Sequence, residues 1–351
     1  MLSNELFVLL LGVSLSVAVF WACKRLPEER WQFLASVPII KDSRGCWLGL
    51  NFTYYGLLTA NALVFAVALL IILMGSLRIP AIVTLSLIFA VLTPCLPAAR
   101  WIARLVEGKQ CTFTIAGAFF VGIFVTPVVL MLFNAQFDRV NTTPLPVIPS
   151  LAATMIAYGF GEGLGRLACI SFGCCYGVAV DQAPPLLRRI CHRWHFVFSG
   201  ELKKIAYASG LEGKQVLPIQ AITALLYIIV GLVATLYFLN GYFTAAFILA
   251  MVVTQAWRVY SETLRADYRG IGRVSAYQYM GLLAILFALA MSYLFPTDES
   301  LVAELSAGIE TAWQPLVLLS LQTLWVAVFI FFGKSMVTGA EISFHLHHDR
   351  I

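Results

Sequence analysis

Charge is scarce in this chain. Asp, Glu, Lys and Arg make up 12% of its 351 residues, and hydrophobic residues make up 60%. Ordinary soluble domains carry about 25% charged residues. That balance excludes a soluble globular fold and points to an integral membrane protein. The net charge of +5 is small and dispersed, which argues against a nucleic-acid partner. Eight cysteines are scattered without repeated Cys-x-x-Cys pairs, so neither a disulfide scaffold nor a structural zinc site is indicated. The first residues, Met-Leu-Ser-Asn-Glu, contain no Lys or Arg, and Phe20-Trp-Ala-Cys23 makes a poor lipoprotein cleavage box. The apolar run 5–22 therefore reads as a retained span rather than a removed signal. The sequence shows no internal repeat and no low-complexity tract.

What the chain does have is long apolar runs. Nine segments are long enough, or nearly so, to cross a bilayer as helices: 5–22, 53–75, 79–99, 113–133, 147–170, 218–238, 242–260, 277–295 and 312–332. The expected fold is an all-α integral membrane protein of about nine transmembrane helices. The third segment holds Pro94 and Pro97, so it is expected to kink or end early. Two connections are long. Residues 23–52 form a mixed polar segment, and 171–217, rich in Lys and Arg, reads as a small extramembrane cap.

Two arginines fall where a bilayer tolerates charge poorly. Arg166 closes Tyr158-Gly-Phe-Gly-Glu-Gly-Leu-Gly-Arg, and Arg258 closes a second apolar stretch. Such residues are functional-site candidates by default. Parity brings them together. In a nine-span chain, Tyr55, Ile115-Ala-Gly-Ala118, Arg166 and Arg258 all fall at one membrane face. Seventeen Lys and Arg occupy the odd loops at that face, and Arg78, Arg139, Lys334 and Arg350 are assigned to the other. The positive-inside rule then places the site face in the cytoplasm.

The segment Gly165-Arg-Leu-Ala-Cys-Ile-Ser-Phe-Gly-Cys-Cys-Tyr-Gly177 resembles the signature of the prolipoprotein diacylglyceryl transferase family. Tyr54-Tyr-Gly-Leu57, Pro218-Ile-Gln220, Arg258-x3-Glu262-x2-Arg265-x-Asp267 and Gln278 resemble further family elements, in the family's order. The resemblance covers residues 53–295, seven spans. It makes 1–52 an added N-terminal span with a polar loop, and 296–351 an added C-terminal span with a tail.

The resemblance implies a reaction. A diacylglyceryl group moves from phosphatidylglycerol to a thiol, in the family the cysteine of a lipoprotein precursor, and glycerol phosphate leaves. Fixed guanidinium groups in a water-poor site stabilise a departing phosphate. Arg166 and Arg258 are the expected carriers of that role, with Tyr55 against the headgroup. Glu262, four residues after Arg258 on one helical face, either holds Arg258 or accepts the thiol proton. Gly165, Cys169, Gly173, Gly177, Gly117, Glu162 and Arg265 are the expected substrate-binding set, with Glu162 pairing with an arginine.

Other residues admit two readings. Gly159, Gly161, Gly163 and Gly165 allow close helix packing, or a loosened helix whose backbone meets a phosphate. Adjacent Cys174 and Cys175 suit neither an ordinary disulfide nor a metal chelate. The family's His-Gly-Gly is missing from Phe113-Thr-Ile-Ala-Gly-Ala-Phe, where only Ala116-Gly117 remain. His192 and His195 in the cap are candidates to replace that histidine, and His345-Leu-His-His348 reads as a polar tail.

The expected protein is thus a phosphatidylglycerol-dependent diacylglyceryl transferase of the bacterial inner membrane, serving lipoprotein biosynthesis. Its partners would be the bilayer, an anionic phospholipid and a precursor thiol, with no cofactor, no metal and no nucleic acid. The family's site faces outward, opposite to the charge rule. Basic loops that draw anionic headgroups account for that conflict. The alternatives are a paralogue with another acceptor, or a non-catalytic phospholipid binder or transporter. A transporter should show inverted halves and a second gate, and the sequence shows neither.

Overall fold

The computed structural model describes residues 3–108, 114–139, 144–268, 274–297 and 301–351. Lys109, Phe113, Arg269 and Arg273 of the sequence argument lie outside the described residues. The helices are α1 (Asn4–Arg25), α2 (Tyr54–Ser76), α3 (Ala81–Glu107), α4 (Ile115–Arg139), α5 (Val147–Phe172), α6 (Pro185–Cys191), α7 (Lys204–Ser209), α8 (Ile219–Leu239), α9 (Phe243–Ser261), α10 (Ala276–Leu294), α11 (Leu305–Ala312) and α12 (Pro315–Gly333). The strands are β1 (Phe33–Lys41), β2 (Trp47–Thr53), β3 (Phe196–Val197), β4 (Gln215–Val216) and β5 (Lys334–Ile342).

Among the described residues, nine helices are long and apolar enough to cross a membrane, and the fold is an all-α membrane bundle. They are α1 to α5, α8, α9, α10 and α12. α5 is the central one. It packs against α2, α8 and α9, and 78% of its apolar window is buried, against 17% for the peripheral α1 and α12. α5 and α9, which carry the two arginines, are also the least apolar of the nine. Their polar side chains face each other inside the bundle, where protein replaces lipid as the environment.

Three expectations are corrected. α3 runs unbroken through Pro94 and Pro97 to Glu107 instead of ending early. α5 is likewise continuous through its glycine run, so the loosened-helix reading fails. A Cβ at Gly161 would meet the Ala66 Cβ of α2 at 3.0 Å, and one at Gly163 the Tyr227 Cβ of α8 at 3.1 Å. These glycines let α2 and α8 approach closely. Finally, the polar segment after α1 is not irregular. β1 and β2 form an antiparallel hairpin, and β2 pairs antiparallel with β5 in the order β1-β2-β5.

That third strand corrects the charge count. β5 follows the ninth span and pairs with loop one, so Lys334 and Arg350 share the site face. Only Arg78 and Arg139 remain on the opposite side, where Asn4 also meets Asn240 at 3.0 Å.

The cap 171–217 contains α6, α7 and the β3–β4 pair. Lys203 pins it to the bundle. Its side chain is fully buried, and Nζ donates to the Leu26 carbonyl at 3.1 Å and to the Ser171 carbonyl at 2.6 Å.

Candidate active site

Tyr158, Glu162 and Arg166 follow one another at four-residue intervals on α5, so their side chains stack along one face. The Glu162 carboxylate is almost wholly buried. One of its oxygens accepts from Arg166, and the other accepts from the Tyr158 hydroxyl and, at 3.0 Å, from Arg258 Nη1. Arg258 Nη1 also donates to the Tyr158 oxygen at 2.9 Å. The ring of Phe119, from α4, stacks on Tyr158 with centroids 4.3 Å apart. Two guanidinium groups from helices far apart in sequence thus share one carboxylate, leaving a net charge of +1. The Nε–H groups of Arg166 and Arg258 are buried and have no hydrogen-bond partner among the described residues.

Arg166 and Arg258 line one cleft, together with Cys175, Gln220, Thr223, Tyr227, Ser261, Glu262 and Arg265. The empty space along the cleft, part of it open to solvent, is about 290 Å³, but only a cavity of about 10 Å³ within it admits water. That is room for about one water. In this conformation the walls must part before a phospholipid headgroup can enter.

Glu262 does not hold Arg258. α9 tightens into a 3₁₀ turn at Glu262–Leu264, yet the Glu262 N–H still bonds the Arg258 carbonyl and its side chain lines the same cleft as Arg258. Its carboxylate meets Arg265 Nη1 at 3.4 Å. Arg265 also makes a two-pronged contact with Asp267, Nε to Oδ1 at 2.7 Å and Nη2 to Oδ2 at 2.6 Å. Its backbone bridges Gly177, so Arg265 ties the post-α9 turn to the loop after α5.

That loop gathers three thiols. Gly173 caps α5 with φ +70°, and a Cβ there would meet the Lys203 Cβ at 3.1 Å. Cys174 N–H donates to the Cys169 carbonyl at 3.0 Å. Cys175 adopts φ +55°, a left-handed conformation that few non-glycine residues take. The three sulfurs of Cys169, Cys174 and Cys175 lie within 4.8 Å of one another. The adjacent pair was expected to suit neither an ordinary disulfide nor a metal chelate; the turn at Cys175 sets both thiols beside that of Cys169. Hydrogen bonds from the Cys169 and Cys174 thiols hold the Cys175 thiol well below the usual cysteine range. Burial opposes the shift, and the Arg265 and Arg166 charges add to it.

Other expected site residues fall in different places. Tyr55 is half-buried against Phe172, with ring centroids 5.6 Å apart, and lies within electrostatic reach of Arg166 and the three thiols. Gln220 donates to the Cys174 carbonyl at 2.8 Å. A Cβ at Gly165 would meet open space. Gly177 packs on Leu217, where a Cβ would come within 2.6 Å of that side chain. Gly117 packs on Ile102 of α3 and is not among the cleft residues. Gln278 caps α10 in a reciprocal pair with Ser275. Among the described residues His195 bonds the nearby Cys191 carbonyl, at 3.2 Å, and His192 is exposed.

Sequence reasoning missed Tyr158, Thr223, Tyr227 and Ser261. The signal for Tyr158 was available in its four-residue spacing from Glu162 and Arg166. Thr223 accepts from the Trp257 indole at 2.9 Å, and Tyr227 donates to the Thr254 carbonyl at 2.9 Å. No protein-family model and no curated protein matches the chain.

Proposed function

We propose that this protein is a membrane transferase that moves a diacylglyceryl group from phosphatidylglycerol, or a similar anionic phospholipid, to a thiol. One observation carries the reading. Arg166 and Arg258 converge on a single cleft with one carboxylate between them, a trio of net charge +1 whose arginine Nε–H groups have no hydrogen-bond partner among the described residues. A buried pair of guanidinium groups is costly, and a phosphate that develops charge on departure is the chemistry that uses it. The four-residue stack on α5 holds both groups rigid, so little reorganisation is needed during reaction.

The resemblance to the prolipoprotein diacylglyceryl transferase family supplies the substrate. In that reaction the acceptor sulfur attacks the terminal glycerol carbon of the lipid. The carbon–oxygen bond breaks, and its electron pair leaves with glycerol phosphate. The thiol proton goes to a base or to water. Acceptors of this kind are presented outside the inner membrane, so this reading sets the cleft at the outer face, with the basic loops attracting anionic headgroups. The missing family histidine at 115–118 favours one second reading, a paralogue with a different acceptor.

The test incubates purified protein with labelled phosphatidylglycerol and a peptide bearing a lipoprotein-type cysteine. The expected product is thiol-linked diacylglycerol, absent with Arg166→Ala. Glycerol phosphate release without peptide modification would establish another acceptor. Lipid binding without turnover would overturn the enzyme reading.

A further inference from the structure

The transferase reading leaves the thiol proton to Glu262, which already pairs with Arg265, or to water, since neither cap histidine lines the cleft. The cysteine cluster offers a different route. We propose that Cys169, Cys174 and Cys175 bind one zinc ion through three thiolates, and that its fourth position opens to the arginine cleft and takes the acceptor thiol. The metal site stands on the cysteine geometry alone; its role toward the acceptor rests on the transferase reading.

The geometry fits a zinc ion. Zinc–sulfur bonds of about 2.3 Å in a tetrahedron set the sulfurs about 3.8 Å apart. The three sulfurs already lie within 4.8 Å, so small side-chain rotations close the difference. The backbone is held around them. Cys169 sits in the last turn of α5, Gly173 reverses the chain, and the Gln220 amide fixes the Cys174 carbonyl. Cys175 keeps its left-handed conformation, which surrounding contacts must impose.

The donor count also points to an open position. Among the described residues no His, Asp or Glu joins the cluster. Structural zinc sites close with four protein ligands, whereas catalytic ones keep three and leave a place for water or substrate. Here the place would face the cleft, because Cys175 lines it. Three thiolates and one zinc ion carry a net charge of −1. Arg166 and Arg265 lie within electrostatic reach of Cys175 and offset it.

A thiol that coordinates zinc loses its proton outright. The proton leaves to water, and the sulfur keeps its electron pair for attack on the glycerol carbon. The metal itself is neither oxidised nor reduced. This arrangement supplies a nucleophile at neutral pH without a histidine base. Arg166 and Arg258 would meanwhile hold the phosphate that departs with the carbon–oxygen pair.

The experiment uses the full chain in detergent, reduced, loaded with zinc and dialysed. Elemental analysis should find about one zinc per chain. Cobalt(II) in its place should give the strong visible bands of tetrahedral cobalt–thiolate coordination. Loss of a mere hydrogen bond to a metal ligand weakens binding about 10- to 100-fold, so Cys169→Ser and Cys175→Ser should each weaken it at least about that much. A cysteine peptide should shift the cobalt bands, and its serine counterpart should not.

No zinc in the reduced wild type, or cobalt bands unchanged in the serine variants, overturns the site. The wild-type metal reading needs no variant, so a misfolded variant cannot rescue the proposal. Bands indifferent to the cysteine peptide overturn the acceptor role. Zinc binding and a peptide shift without any lipid turnover would leave the site standing and remove the transferase reading instead.

Discussion

Arg258 and Glu162, ninety-six residues apart in the chain, meet at 3.0 Å in the interior of the bundle. The contact joins α9 to α5 and fixes the position of Arg166 as well, because the same carboxylate accepts from both guanidiniums. Removing one partner of a buried ion pair leaves an uncompensated charge and costs about 3–5 kcal/mol. Glu162→Ala should therefore destabilise the protein by about that amount in thermal or denaturant unfolding in detergent. A loss under about 1 kcal/mol would mean that the carboxylate does not bridge the two arginines. Tyr158→Phe removes a hydroxyl shared by Glu162 and Arg258, and should cost about 1–3 kcal/mol.

Of the three arginines that line the cleft, the two that share Glu162 should separate by function from the one that ties the loops. Arg166→Lys keeps the charge but loses the planar fork that matches a phosphate. Turnover of phosphatidylglycerol by that variant should fall roughly 100- to 1,000-fold, the range for removing one preorganised donor, with an unchanged melting curve. Arg265 is saturated by Glu262 and Asp267 and bridges Gly177. Arg265→Ala should instead lower the melting temperature. If Arg166→Lys turns over lipid as fast as the wild type, the cleft does not hold the reacting phosphate.

Much of this was legible in the sequence, and what was not has specific causes. Spans are set by bilayer thickness, so apolar run length located all nine helices, although α3 and α4 run on past the expected ends at 99 and 133 to Glu107 and Arg139. Parity brought Arg166 and Arg258 to one face before any contact was known. The β1-β2-β5 sheet was hidden because Pro38 interrupts β1 and the third strand lies almost 300 residues away, past the last span. Glu262 was assigned to Arg258 on helical spacing, which holds, but spacing does not encode that Arg265 competes for its carboxylate. The thiol cluster depends on a positive φ at Cys175, a backbone choice that residue spacing does not encode.

Sidedness can be read directly. Ser43 sits exposed in the β1–β2 turn on the site face, and Tyr242 is exposed between α8 and α9 on the opposite face. Under the proposed outward orientation, a membrane-impermeant maleimide should label Ser43→Cys in intact cells and leave Tyr242→Cys unlabelled. The reverse pattern would put the cleft in the cytoplasm, in agreement with the loop charges. It would also remove translocated precursors as acceptors.

Lys203 provides a pH dependence. Burial pushes its ammonium from the usual lysine range down to about 8, with Glu29 opposing. The folded value lies below the unfolded one, so the unfolded chain binds the proton more tightly. Folding stability should therefore rise as pH climbs from about 8 toward the ordinary lysine value near 10.4, by at most about 3 kcal/mol. Urea unfolding of the wild type and of Lys203→Met, from about pH 7 to about pH 10, isolates the effect. The wild type should gain on the variant across that window. A gap that stays constant would show that the lysine keeps its proton, with its bonds to the Leu26 and Ser171 carbonyls outweighing the cost of burial.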